Sequence, residues 1–256
     1  MKKQKLSVSL GVRDKLEKTH ASLLDDMFQK FKSQQNLFRG QLRTYTALDG
    51  FADDPSKRGY THVSSTVKEQ LDWYTKYAEP FLTNTLSVEK TNSTGIKAKL
   101  VVQGVEWGEY STLELLRLKS ILDSKLKAMI HEIPVRKDSV IWHPSTNADF
   151  AGRDVFETPL DENYAKTTQK RTEIVHDPHI KEAPNRAPVS VPIETTVNIG
   201  KYTSQDFSGE FTLQQRAEIF VKMDQLYTAV IEALATANEA DTQESDLGKK
   251  VLNYLF

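Results

Sequence analysis

Between residues 138 and 209 the chain changes character, and this stretch constrains what the whole can fold into. It carries most of the nine prolines and three of the six histidines. Trp142, Arg153, Lys170, Arg171, Lys181 and Arg186 are spread through it. The flanks read as long amphipathic helices. Proline lacks a backbone donor and crowds the preceding helical turn, so the middle reads as extended strands and loops. Helical runs on either side of an extended block predict the α+β class. We expect a mainly antiparallel sheet with long amphipathic helices packed on one face, in a single domain spanning 1–256.

The helical readings rest on apolar spacing. Leu16, His20, Leu23, Leu24, Met27, Phe28 and Phe31 recur every three or four residues and gather on one face of a helix over 12–35. His20 on that stripe reads as a packed histidine. A second helix is predicted over 66–86, with Pro80 kinking or ending it. Its aromatic residues Trp73, Tyr74, Tyr77 and Phe81 read as core with an amphipathic edge. A third opens at Ser111, followed three residues later by Glu114, the spacing of a capping box. It continues to Ile133, where Pro134 stops it. The fourth opens at Thr212 with Gln215 in the same relation and runs to about Asn238.

Alternation marks the strands. Residues 42–48 alternate and carry Thr and Tyr, and 96–105 alternate apolar and polar side chains. Gly104 and Gly108 are expected to bracket Trp107 in a turn. In the middle, strands are predicted near 139–142, 166–175 and 194–202, the second favoured by Thr167, Thr168, Thr172, Ile174 and Val175. Pro184, Pro188 and Pro192 argue for an extended edge or a loop rather than a central strand.

Composition removes several function classes. There is no cysteine, which excludes disulfides, thiolate nucleophiles and cysteine-ligated metals. The formal net charge is −1. Affinity for nucleic acid comes largely from phosphate neutralisation, so general nucleic-acid binding is not expected. No run of about 18 apolar residues occurs, so no membrane span is predicted. The short apolar start has no small-residue cleavage site after it; a cytoplasmic location is the expectation.

No complete catalytic motif is present: no G-x-S-x-G elbow, no phosphate-binding glycine loop and no dinucleotide fingerprint. His176-Asp177-Pro178-His179, with His143, carries donor types that suit zinc. Pro178 works against a regular helix face, and a plain polar turn is the competing reading. No cofactor is implied. The more physical candidate is an anion site. Arg43 and Tyr45 are two residues apart on a predicted strand and so share a face. Arginine forks bind carboxylate or phosphate in two parallel bonds, and an aromatic neighbour can cover a ring. Trp142, Lys170, Arg171 and Arg186 would complete such a site if the fold gathers them.

Leu42-Arg43-Thr44-Tyr45, Trp142-His143-Pro144, the basic stretch from Lys170 to Lys181 and the closing Asn253-Tyr254-Leu255-Phe256 resemble a family of uncharacterised bacterial and phage proteins of similar length. The resemblance spans nearly the whole chain. It implies one intact domain and a phage or prophage origin, and it brings no assigned activity.

The leading expectation is therefore a non-enzymatic binding protein for an anionic, nucleotide-like small molecule, acting as an accessory protein that sequesters a host molecule. Its ligand-binding residues would be Arg43, Tyr45, Trp142, Lys170, Arg171 and Arg186. The second reading is an assembly or protein-interaction protein. The long final helix and the apolar end at 251–256 favour a homo-oligomer. The third is a metal-dependent hydrolase using His143, His176 and His179.

Overall fold

The computed structural model describes residues 6–93, 95–175 and 189–238. In chain order the elements are helix α1 (Leu6–Ser33), strands β1 (Arg39–Ala47) and β2 (Gly59–Thr61), and helix α2 (Val67–Asn92). Strands β3 (Lys97–Val102) and β4 (Val105–Ser111) precede helices α3 (Thr112–Leu122) and α4 (Lys125–His131). Then come β5 (His143–Pro144), β6 (Phe156–Glu157), β7 (Asp161–Val175), β8 (Val189–Ser208) and helix α5 (Leu213–Asn238). The fold is α+β, and every described strand-to-strand pairing is antiparallel. The chain divides into two compact units of interleaved segments. One takes the described residues of 1–35, 67–137 and 210–256, the other those of 36–66 and 138–209.

The first unit is mainly helical. Asn84 of α2 donates to the Ser9 carbonyl of α1, Arg13 pairs with Glu89 at 3.5 Å, and Lys30 donates to Gln70. The start of α1 thus meets the end of α2, so the two helices run antiparallel. The helix does not end at Pro80: α2 continues through it to Asn92. Proline removes one backbone bond. The buried row Ala78, Phe81, Thr85 and Val88 packs on either side of it. Tertiary packing of that kind supplies most helix stability in proteins. The predicted helix over 111–133 divides instead into α3 and α4. Ser124 Oγ donates to the Ile121 carbonyl at 2.6 Å, a local bond that competes with the helical ladder.

Both capping boxes form. Ser111 Oγ accepts from Glu114 N, and Glu114 accepts from Ser111 N at 2.9 Å. Thr212 and Gln215 make the same exchange at 2.8 and 3.0 Å. The β3–β4 hairpin turns at Gln103-Gly104, where both residues have positive φ, as a two-residue hairpin loop requires. Trp107 is accordingly in β4 and not in the turn. It occupies a register shift opposite Leu100/Val101, next to Gly108 at φ 129. Ala98 and Leu100 of the hairpin pack with Leu115 of α3 and with Ala229, Val230, Ala233 and Leu234 of α5. Helices thus cover one face of this small sheet.

The second unit is the larger sheet, in the order β2-β1-β8-β6-β5, with β7 also paired to β8. Strand β1 lies against β8 from Arg39↔Ser208 to Ala47↔Gly200. Val63, Phe150, Val155 and Phe207 form its core, with Leu42 packed against them. Trp142 falls outside any strand, and the predicted strand over 139–142 is displaced to the two-residue β5. Such a short edge can follow only its partner, which is β6.

Tyr45 crosses the β1–β8 seam over Gly200, and a Cβ at Gly200 would overlap its ring. The phenol is buried at 2% exposure and its hydroxyl donates to the Ile199 carbonyl at 3.3 Å. Gly200→Ala is expected to cost about 1–3 kcal/mol by overpacking, read as a lower urea midpoint. On a Tyr45→Leu background the same change should cost less, because the two sites share one space.

Candidate functional site

The sheet register fixes where the predicted ligand-binding residues lie. Arg43 stands opposite Ser204 on β8, and Lys170 opposite Glu194. Ten residues of β8 separate those partners, about 33 Å at 3.3 Å per residue. Arg43 and Lys170 therefore do not share a pocket. Arg43 is exposed. Tyr45 is covered: Tyr202 lies 5.1 Å from its ring and Lys57 Nζ stands 4.6 Å above it. The phenol serves the packing of the seam and presents no open face. Trp142 is half-buried beside β5, and His143 is exposed. Arg153 spends its guanidinium on the Val63 and Ser64 carbonyls at 3.0 and 3.3 Å. Arg186, His176 and His179 lie outside the described residues, as does the 251–256 end. Among the described residues no three His, Asp or Glu side chains are gathered as a metal site would need.

What the register does assemble is a ribbon. β1 ends at Ala47↔Gly200, with a last backbone bond from Leu48 N to the Ile199 carbonyl. Beyond that point β8 is paired to β7 alone, from Lys166↔Asn198 to Val175↔Val189. A register shift at Ala165/Lys166 marks the start of this two-stranded part. Pro192 sits in it opposite Thr172. A strand with a single neighbour tolerates proline's missing donor, as the edge reading of the sequence expected.

Directly opposed residues of an antiparallel pair share a face, and successive residues alternate. The ribbon therefore has two unlike faces. One carries Lys166, Thr168, Lys170 and Thr172 with Pro192, Glu194, Thr196 and Asn198. Lys170 and Glu194 pair across it at 3.0 Å, both largely exposed. The other carries Gln169, Arg171 and Glu173 on β7 and Val191, Ile193, Thr195 and Val197 on β8. Val191 and Ile193 are 42% and 39% exposed. A β-branched residue at alternate positions is the signature of a strand with one covered face. Here that face stands open to solvent. The alternation was present in the sequence from Val191 to Ile199. Pro184, Pro188 and Pro192 interrupt the segment and obscure its period.

The chain belongs to the DUF7873 family. Residues 3–256 match this family of unknown function, so both compact units fall within one family pattern. No curated protein matches the chain, and no solved structure does.

A second chemical cluster lies in the helical unit. His20 of α1 is buried at 6% exposure. Its Nε2 is 3.0 Å from the Tyr74 hydroxyl, and its ring stacks on Phe81 at 4.1 Å between centroids and 12° between planes. Burial pushes the His20 pKa below its ordinary value, against an opposing pull from the Glu17 carboxylate. Burial also pushes the Tyr74 hydroxyl up to about 12, so it keeps its proton at neutral pH. A histidine whose pKa is lowered by folding binds its proton more tightly in the unfolded chain. The contribution of His20 to stability should therefore be constant above pH about 6.5, the ordinary histidine value, and fall as pH drops below it. Urea midpoints are expected to fall between about pH 7.5 and pH 5.5, and His20→Gln should make that fall smaller. A proton NMR titration should show the His20 ring titrating below the usual histidine range.

Proposed function

We propose that this chain is a non-enzymatic assembly protein that self-associates through the open face of the β7–β8 ribbon. One observation carries the reading: Val191 and Ile193 alternate with polar residues on a ribbon that no third described strand covers. Contiguous apolar surface on one face of a regular element is the kind of feature that interaction sites use. The charges on the same face favour a second copy as the occupant. Arg171 and Glu173 are two residues apart on β7, opposite Ile193 and Val191. A two-fold axis brings each residue of a patch against a different residue of the same patch. A face holding one cation and one carboxylate can thus satisfy itself. The near-zero net charge of the chain adds little repulsion between copies.

The nucleotide-like ligand reading has less support, because it needs Arg43 beside Lys170 and Arg171, which the register sets about 33 Å apart. The self-association reading makes a direct prediction. The wild-type chain should elute and scatter light as a dimer or larger closed assembly. The double variant V191E/I193E should be a monomer with an unchanged circular dichroism spectrum, since both positions lie outside the buried core. A wild-type chain that stays monomeric up to about 100 μM, a range in which interfaces of standard size associate, defeats the proposal. So does a double variant that keeps the wild-type mass.

A further inference from the structure

We infer that the outward face of α5 is a docking surface for a basic amphipathic helix of a partner protein. α5 carries two apolar stripes. One, with Ala229, Val230, Ala233 and Leu234, packs on the β3–β4 hairpin and α3. The other takes Ala217, Val221, Asp224, Thr228, Ile231 and Ala235, and all six are exposed. Val221 is 52% exposed and Ile231 42%. The face lies within the helical unit and is independent of the ribbon.

The spacing of the second stripe sets the shape of the partner. Steps of four and three alternate from 217 to 235, the seam of a coiled coil with its period of about 3.5 residues. At 1.5 Å per residue the seam runs about 27 Å. The solvated face of a helix is normally polar and charged, whereas only one of these six residues is charged. A groove of about 470 Å³ runs beside the seam and shares Val221, Asp224 and Thr228 with it. Its far wall is Val101 at the end of β3 and Gln103 in the hairpin turn. Gln103 donates to Gln225, which ties that wall to α5. A helix laid along the seam would have its side chains flanked by this wall, as an amphipathic helix is held in a groove.

Charge selects the occupant. Asp224 stands in the middle of the seam, and Glu218, Gln225 and Glu232 follow its groove side at seven-residue intervals. Flanking positions of this kind set partner choice in coiled coils. Glu218 accepts from Gln214 at 3.0 Å. Among the described residues none of Glu218, Asp224 and Glu232 forms an ion pair. Neither the seam nor this flank holds a cation, and Lys222 lies about 100° round the helix from Val221, outside the seam. The same face of a second copy would set three carboxylates against three and cover Asp224 with no countercharge, which is costly. A helix with apolar side chains along its seam, and Lys or Arg opposite Asp224 and the flank, removes that cost. Complementary charge then fixes its register and excludes acidic competitors.

The probe is a synthetic peptide of about three heptads, with Leu at the seam positions, one central Lys among them and Lys on both flanks. It is titrated into full-length protein carrying methyl-labelled alanine, valine and isoleucine. One parallel arm replaces every Lys of the peptide by Glu, and another scrambles its order so that no seam remains. The expected result is a saturable shift of the Ala217, Val221, Ile231 and Ala235 methyl signals with the Lys peptide, half-complete below about 100 μM. The other two peptides should produce none in that range. Asp224→Lys, at an exposed position, should weaken the Lys peptide about tenfold or more and admit the Glu peptide. Ile231→Gln, also exposed and without change of charge, should weaken the Lys peptide about fivefold. The V191E/I193E chain should give the wild-type midpoint, which separates this face from the ribbon. No saturable shift with the Lys peptide overturns the inference, as does an equal response to the scrambled peptide or undiminished binding to Asp224→Lys. Movement of the same methyl signals when the V191E/I193E chain is concentrated without peptide would give the face to a second copy, and overturns it as well.

Discussion

The backbone ladder of β8 is what the sheet unit depends on. Its 20 residues pair with β1 on one edge and with β6 and β7 on the other. The seam closes only because Gly200 leaves room for the Tyr45 ring. That close approach fits the register in which Ala47 lies opposite Gly200. The register in turn decides which side chains are neighbours. Together with the β7–β8 pairing it puts Arg43 opposite Ser204 and Lys170 opposite Glu194, ten residues apart along β8. The β7–β8 register gives the ribbon one polar face and one carrying valine and isoleucine. Site chemistry in this unit is a consequence of strand alignment more than of residue type.

Much of the fold was legible because its signals are local. Ser111 with Glu114, and Thr212 with Gln215, announce helix starts within four residues, and both exchanges form. The β-branched alternation gave strands in the right places, although β7 and β8 run longer than expected. The α3–α4 break was not legible. It turns on one serine hydroxyl choosing a carbonyl over water, which apolar spacing does not report. Pro80 is a weaker signal: the local rule allows a kink or a stop, and the buried row on α2 carries the helix past it.

The candidate site was less legible than the fold, for a physical reason. Whether two arginines meet depends on pairings between residues more than 150 positions apart, such as Arg39↔Ser208. Periodicity contains no information on such pairings. Tyr45 illustrates the loss. As a sequence residue beside Arg43 it resembles half of a ring-and-guanidinium site. In the fold its ring is taken by Gly200, Tyr202 and Lys57. Arg117 is the converse case. It sits unremarkably on a predicted helix, and only the fold sets its guanidinium against Glu17 of α1.

The interleaving of the two units bears on how the molecule is made. Residues 36–66 wait for 138–209, and the helices before Lys137 wait for α5. Neither unit is a contiguous stretch of chain, so neither can be cut out as a fragment with both its edges intact. During synthesis β1 leaves the ribosome some 160 residues before its partner on β8. Closing a loop of that length delays folding far more than it weakens the product. Until then the side of β1 away from β2 is an unpaired edge, the kind of surface that joins the wrong neighbour. The alternation of Arg39, Gln41 and Arg43 along it gives that edge charge and polarity to hold off such encounters until β8 arrives.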